Sequence, residues 1–151
     1  MRVQKTVYGE VTDYVYSGNY VIAETGKAYL RGLSYHAVTN TDGTYYYFCN
    51  AHGDVTQVVN SNRVTVATYD YDEFGSLTEQ TGNFDNDILY SGGFYDSESE
   101  NYYLRARYYD SSIGRFTQQD TFLGITDNPL SLNRYTYCHN NPIMFVDPSG
   151  H

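Results

Sequence analysis

The chain is predicted to be all-β, a succession of antiparallel hairpins forming a curved ribbon or open partial shell, and three observations carry that expectation. Its apolar content is aromatic, with 19 Tyr and 7 Phe against no Trp and 2 Met in 151 residues. Tyr favours strands because its ring packs on a pleated surface while its hydroxyl still reaches a polar partner. Extended runs alternate from end to end with turns rich in Asp, Asn and Gly, as in repeat architectures. No long stretch shows a period of about 3.6 residues, the mark of an amphipathic helix. Only Leu130-Ser131-Leu132-Asn133-Arg134-Tyr135 suggests one short helical turn. By length the chain is a single unit with a modest core.

Taken in order, Lys5-Thr6-Val7-Tyr8, Tyr14-Val15-Tyr16 and Ile22-Ala23-Glu24 read as strands. The clearest repeat is Tyr69-Asp70-Tyr71-Asp72-Glu73-Phe74-Gly75-Ser76-Leu77, which matches Tyr47 to Val55 with the glycines at 53 and 75, a spacing of 22. Each unit makes physical sense as a hairpin, Asp capping the turn and Gly supplying a positive φ. Val55 to Val59 and Arg63 to Thr68 carry β-branched or alternating patterns around the turn Asn60-Ser61-Asn62. Looser copies follow, Tyr95-Asp96 with Tyr102-Tyr103-Leu104, and Tyr109-Asp110 with Gly114-Arg115-Phe116. Taken singly, every such Tyr is a cross-strand packing residue and every Asp a turn cap. About five hairpins cannot close a shell, so the ribbon should present unpaired edges, as an open sheet or as an edge-to-edge homodimer.

Charge and composition exclude several classes. With 18 acidic and nine basic residues the net charge is -9, which opposes phosphate backbones, so no nucleic-acid partner is expected. The N-terminal segment lacks the apolar core of a signal peptide, and no run of about 18 apolar residues points to membrane insertion. Any export signal is then expected elsewhere. Cys49 and Cys138 are too few for a disulfide framework and read as small strand residues. Cys49, His52, Cys138 and His139 are zinc-type ligands but are not spaced as a finger. Neither metal nor cofactor is expected. Hydrolase-elbow and phosphate-loop patterns are absent. Asn140-Asn141-Pro142 reads as a turn, its second Asn pushed toward extended backbone.

The last third is denser. It runs Tyr95-Asp96, LRARYYD (104 to 110), GRF (114 to 116), Asp120, NRYTYCHNNP (133 to 142) and VDPSG (146 to 150). This string resembles the C-terminal end of RHS or YD-repeat proteins, including the RHS-repeat-associated core, and the resemblance covers nearly the whole chain. Residues 1–89 resemble ordinary YD-repeat hairpins and residues 90–151 the core. That family includes the C components of bacterial Tc toxins and related polymorphic toxins.

The resemblance implies a hollow β shell around a variable C-terminal toxin, with the core turning inward to plug one end. It also implies an aspartyl autoprotease that severs the toxin just after a D-P-x-G-hydrophobic motif. Carried over, the family's arginine falls on Arg107, its first aspartate on Asp120 and its second on Asp147, with the cut at Gly150 and His151. The parent would be a larger bacterial protein, secreted or cell-surface associated, whose partners are upstream shell repeats and the downstream toxin domain.

The spacing from Arg107 to Asp120 is 13, as in the family, whereas Asp120 to Asp147 is 27, a few residues longer, with the extra length between Phe122 and Ser131. Thr121 replaces the usual Pro, and His151 stands where the family has Leu or an aromatic residue. The resemblance leaves open whether cleavage accepts His151 or is impaired by it.

The chemistry is coherent on its own terms. Hydrolysis at neutral pH needs an activated water and an acid for the leaving amine, which two carboxylates sharing one proton provide. Close carboxylates cannot both ionise cheaply, and a guanidinium holds the lower one charged or meets the developing oxyanion. With Asp147 four residues before His151, the substrate arrives in cis and reaction is single-turnover. Individually, Asp147 is an ordinary turn residue, Asp120 an exposed acid at a strand end, and Arg107 a surface or inter-strand ion pair. The competing function is a purely structural or surface-binding β module whose exposed tyrosines touch glycan or protein.

Overall fold

The computed structural model describes residues 1–125, 129–147 and 149–151, together with the backbone but not the side chain of Leu130. Nine strands form one antiparallel meander: β1 (Gln4–Val7), β2 (Glu10–Ser17), β3 (Tyr20–Glu24), β4 (Lys27–Arg31), β5 (Tyr35–Asn40), β6 (Gly43–Cys49), β7 (Val55–Asn60), β8 (Thr65–Tyr71) and β9 (Leu77–Gly82). A second sheet comprises β10 (Phe94–Asp96), β11 (Asn101–Leu104), β12 (Arg107–Asp110) and β13 (Arg115–Phe116). Neither sheet closes on itself, so the fold is all-β and open.

The repeat turns are built as their residues require. Between β6 and β7, Asn50 Oδ1 accepts the amides of His52 and Asp54, each at 3.0 Å, and Gly53 takes φ +93°. Between β8 and β9, Asp72 Oδ1 accepts those of Phe74 and Ser76, each at 2.9 Å, and Gly75 takes φ +91°. The side chain substitutes for backbone partners that a tight reversal leaves unmatched. Asn60 plays the same part for Asn62 and Val64, with Arg63 as the left-handed residue at φ +64°.

Ten of the 19 tyrosines are buried, in one cluster that joins both sheets. Phe94 of β10 meets Tyr14, Tyr29 and Tyr35 edge-on, with centroids 6.2, 5.6 and 6.1 Å away, the geometry that ring quadrupoles favour. The C-terminal sheet thereby packs back onto the tyrosine face of the nine-stranded one. Buried phenols need acceptors, and the Asp72–Ser76 turn supplies three of them. Tyr90 donates to Glu73 O (2.9 Å), Tyr109 to Phe74 O (2.7 Å) and Tyr102 to Gly75 O (2.8 Å). A repeat turn of the first sheet is thus clamped by three tyrosines from the C-terminal region.

Some local expectations are corrected. Cys49 ends a strand as expected, exposed, whereas Cys138 is half-buried in a helical turn and not in a strand; both are free. The helical turn expected from Leu130 begins at Pro129 and ends at Ser131. At Cys138, His139 and Asn140 three successive residues are left-handed, at φ +47°, +54° and +59°, and Asn141 follows at φ -132°. Part of the inserted length between Phe122 and Ser131 lies outside the described residues.

Candidate functional site

Arg107 opens β12, immediately after the two-residue turn of Arg105 and Ala106. Its guanidinium lies over the Phe116 ring of β13, 3.6 Å from the centroid, and the residue is only 5 % exposed. It is therefore not the surface ion pair that its residue type alone suggests. Burial pulls its pKa down, against the opposing pull of Asp120 and Asp147. Its N–H groups serve three acceptors, Asp120 Oδ2 (2.8 Å from Nη2), the Arg134 carbonyl (3.0 Å from Nη1) and the Gly150 carbonyl, to which Nε donates, while Asp147 Oδ2 stands 3.9 Å from Nη2 as a longer ion pair.

Asp120 follows β13 on a segment that runs beside residues 134–136. Phe116 N–H donates to Tyr135 O and Asp120 N–H to Arg134 O, both at 2.9 Å, and Arg115 bridges Thr136. At 8 % exposure Asp120 is buried, which corrects its reading as an exposed strand-end acid. Burial pushes the carboxyl upward. The Phe122 amide (2.8 Å), Arg107 and His151 outweigh it and hold Asp120 below the usual carboxylate range. His151 Nδ1 lies 3.5 Å from Asp120 Oδ1.

Asp147 is a turn residue, as its sequence suggests, and also faces the guanidinium. Its Oδ1 accepts the amides of Ser149 (3.0 Å), Gly150 (2.7 Å) and His151 (3.3 Å), as well as Ser149 Oγ (3.1 Å). Pro148, the second residue of the expected Asp-Pro-Ser-Gly turn, lies outside the described residues. Gly150 is buried at φ +77°, and a Cβ there would lie 2.0 Å from Leu104 O and 3.1 Å from Ala106 N. Only glycine lets this segment press against the turn from which Arg107 springs.

The sequence-derived residues therefore form one cluster, in which Arg107 meets Asp120, Asp147 and Gly150, and His151 meets Asp120 and Asp147. The two carboxylates meet through Arg107, and no direct hydrogen bond joins them among the described residues. They line a cavity of about 500 Å³ whose wall includes Phe122, Arg134 and Cys138. Burial pushes the Cys138 thiol up to about 11, so this cysteine is no thiolate nucleophile at neutral pH.

Two residues stand out that were not singled out from the sequence. Arg134 donates from Nε (2.7 Å) and Nη2 to the Asp120 carbonyl; its signal was its place in the NRYTYCHNNP run. Buried Asp54 accepts from Asn50 Nδ2 (2.8 Å), the Ser91 amide (2.8 Å) and His52 Nδ1 (2.7 Å). His52 Nε2 in turn lies 3.4 Å from Phe145 O, which ties a repeat turn to the segment leading into Asp147.

Comparison with known proteins identifies the family and the fold. The model of the Teneurin YD-shell family matches residues 30–143. The tRNA3(Ser)-specific nuclease WapA of Bacillus spizizenii is 40% identical over 99% of this chain and 7% of its own length. Toxin protein Tse5 of Pseudomonas aeruginosa is 41% identical over 42% of this chain and 4% of its own. The crystal structure of TcdB2-TccC3 superposes with a TM-score of 0.73 at 21% identity, covering 98% of this chain and 8% of that one. The chain thus corresponds to a small part of much longer relatives. Among the described residues no helix is long and apolar enough to cross a membrane.

Proposed function

The chain belongs to the RHS and YD-repeat proteins of the Teneurin YD-shell family, and we propose that it is the end of a toxin-encapsulating shell that cuts itself in cis after His151. In this reading residues 1–89 are shell repeats, continued upstream by pairing at the free edge of β1. Residues 90–151 are the core, and the chain beyond His151 is the released toxin. The relatives named as a nuclease and as a toxin protein support a toxic cargo. The parent is secreted or displayed at a bacterial surface.

The observation that carries the reading is the convergence on Arg107. One guanidinium touches Asp120 and Asp147 and also holds the carbonyl of Gly150, next to the proposed scissile bond. Asp120, held ionised, accepts a proton from water as that water attacks the His151 carbonyl. Asp147 uses Oδ1 to hold the amides of 149–151, and the proton that Asp120 took from water passes to the departing amine. The C–N bond breaks to give a carboxyl at His151 and a free amine on the released chain. Because enzyme and substrate share one chain, positioning supplies much of the rate.

The competing surface-binding reading draws less support, because ten of the 19 tyrosines are buried between the sheets rather than displayed. The test extends the chain by its native downstream residues and follows its mass. Loss of the downstream piece, abolished in Asp120→Asn and in Asp147→Asn, supports the autoprotease. A wild-type chain that stays whole leaves a structural shell module.

A further inference from the structure

We propose that Arg134 is a positioning residue of this site, fixing the main chain at Asp120 so that the Asp120 carboxylate is held against Arg107 and His151. Its consequence for cleavage rests on the function proposed above; its geometry does not.

Arg134 and Asp120 grip each other twice. The Asp120 N–H donates to the Arg134 carbonyl at 2.9 Å. In return the Arg134 guanidinium closes on the Asp120 carbonyl, with Nε at 2.7 Å and Nη2 also donating. A planar guanidinium presents two parallel N–H groups in fixed geometry, whereas an ammonium donates from a single point. The third arm, Nη1, reaches Gln119 Oε1 at 3.1 Å, so the side chain holds the Asp120 carbonyl together with the side chain of the preceding residue.

The same residue also supports the other half of the ion pair, since its carbonyl accepts Arg107 Nη1 at 3.0 Å. Arg107 and Asp120, which meet at 2.8 Å, therefore both lean on residue 134. Among the described residues the Arg134 guanidinium has no carboxylate partner, although the chain carries twice as many acidic as basic residues, 18 against nine. Its charge is directed at neutral acceptors around Asp120.

An aspartate carboxylate is two bonds from its Cα, so rotation of the peptide at 120 swings it directly. The groups facing that carboxylate are the Phe122 amide, Arg107 and His151, and Asp147 approaches the same Arg107 nitrogen, Nη2, at 3.9 Å. All are contacts that a small rotation would lengthen.

The test has two readouts. In the 151-residue chain, carbon-13 NMR follows titration of the Asp120 carboxyl in wild type, Arg134→Gln and Arg134→Lys. The midpoint should lie low in wild type, rise toward an ordinary aspartate in Arg134→Gln, and fall between them in Arg134→Lys. A residue that merely ties two segments together would alter melting and leave this midpoint in place, so an unmoved midpoint in a folded variant overturns the proposal. Should Arg134→Gln not fold, Arg134→Lys alone decides, by a midpoint above wild type or equal to it. In the extended chain Arg134→Gln should slow cleavage by about tenfold to a hundredfold, the loss expected for a misplaced group. A wild-type chain that never cleaves would count against the proposed function, while the titration would still decide the role of Arg134.

Discussion

Gly150→Ala is the substitution whose effect can be worked most directly from the structure. At φ +77° an alanine pays about 1–2 kcal/mol for the left-handed backbone. Its methyl would stand 2.0 Å from Leu104 O, and real Cβ contacts essentially never fall below 3.0 Å, so the 147–151 segment must withdraw by about 1 Å. That carbonyl is an acceptor in a turn that pins Arg107, so the mobile partner is the terminal segment. Withdrawal lengthens the Arg107 Nε bond to Gly150 O and carries His151 away from Asp120. Misplacement by about 1 Å costs on the order of a hundredfold in rate. The assay is a mass-resolved time course of the extended chain, with a thermal melt to confirm that the variant remains folded. Cleavage at the wild-type rate in a folded Gly150→Ala would refute the claim that this contact positions the bond.

Other outcomes follow from particular residues. Asp120 lies below the usual carboxylate range, so its ionised form is complete above the unfolded value of about 3.9 and is lost only as pH falls through its lower folded value. The acid limb of the cleavage rate should therefore lie below about pH 4; a limb above pH 5 would contradict this. Glu24 behaves oppositely: burial, with Asp87 nearby, raises it to about 7. Its contribution is full below the unfolded value of about 4.3 and is lost as pH rises toward the folded value. Differential scanning calorimetry should show Glu24→Gln gaining on wild type between pH 4 and pH 7.5, and a constant difference would count against a raised Glu24. Tyr102→Phe removes the donor to Gly75 O and leaves that acceptor unmatched, so urea unfolding should show a loss of about 1–3 kcal/mol; no change would mean that the tyrosine clamp on the repeat turn is not stabilising.

Much of the fold was legible because hairpin repeats are local. Gly53 and Gly75 with their preceding Asn50 and Asp72 mark turns that need only a few residues to form. What was not legible is which face the tyrosines take and what accepts their hydroxyls. Tyr90, Tyr102 and Tyr109 find the 73–75 carbonyls across a tertiary interface that no periodicity encodes. At the site, Arg107, Asp120 and Asp147 could be named from motif spacing, yet the burial of Asp120 could not, because it depends on residues 134–136 running beside it. Arg134 was hidden for the same reason. The left-handed run at Cys138, His139 and Asn140 was only partly signalled, since Asn140 marks a turn and tolerates positive φ but nothing local asks it of Cys138.

The central claim is that the site cuts its own chain, and molecularity tests it most directly. The extended wild-type chain is incubated across a hundredfold range of concentration while its intact mass is recorded. The account predicts a product ending at His151, formed with a first-order rate constant independent of concentration. A full-length mass that persists, or a cut elsewhere whose rate rises with concentration, would contradict it.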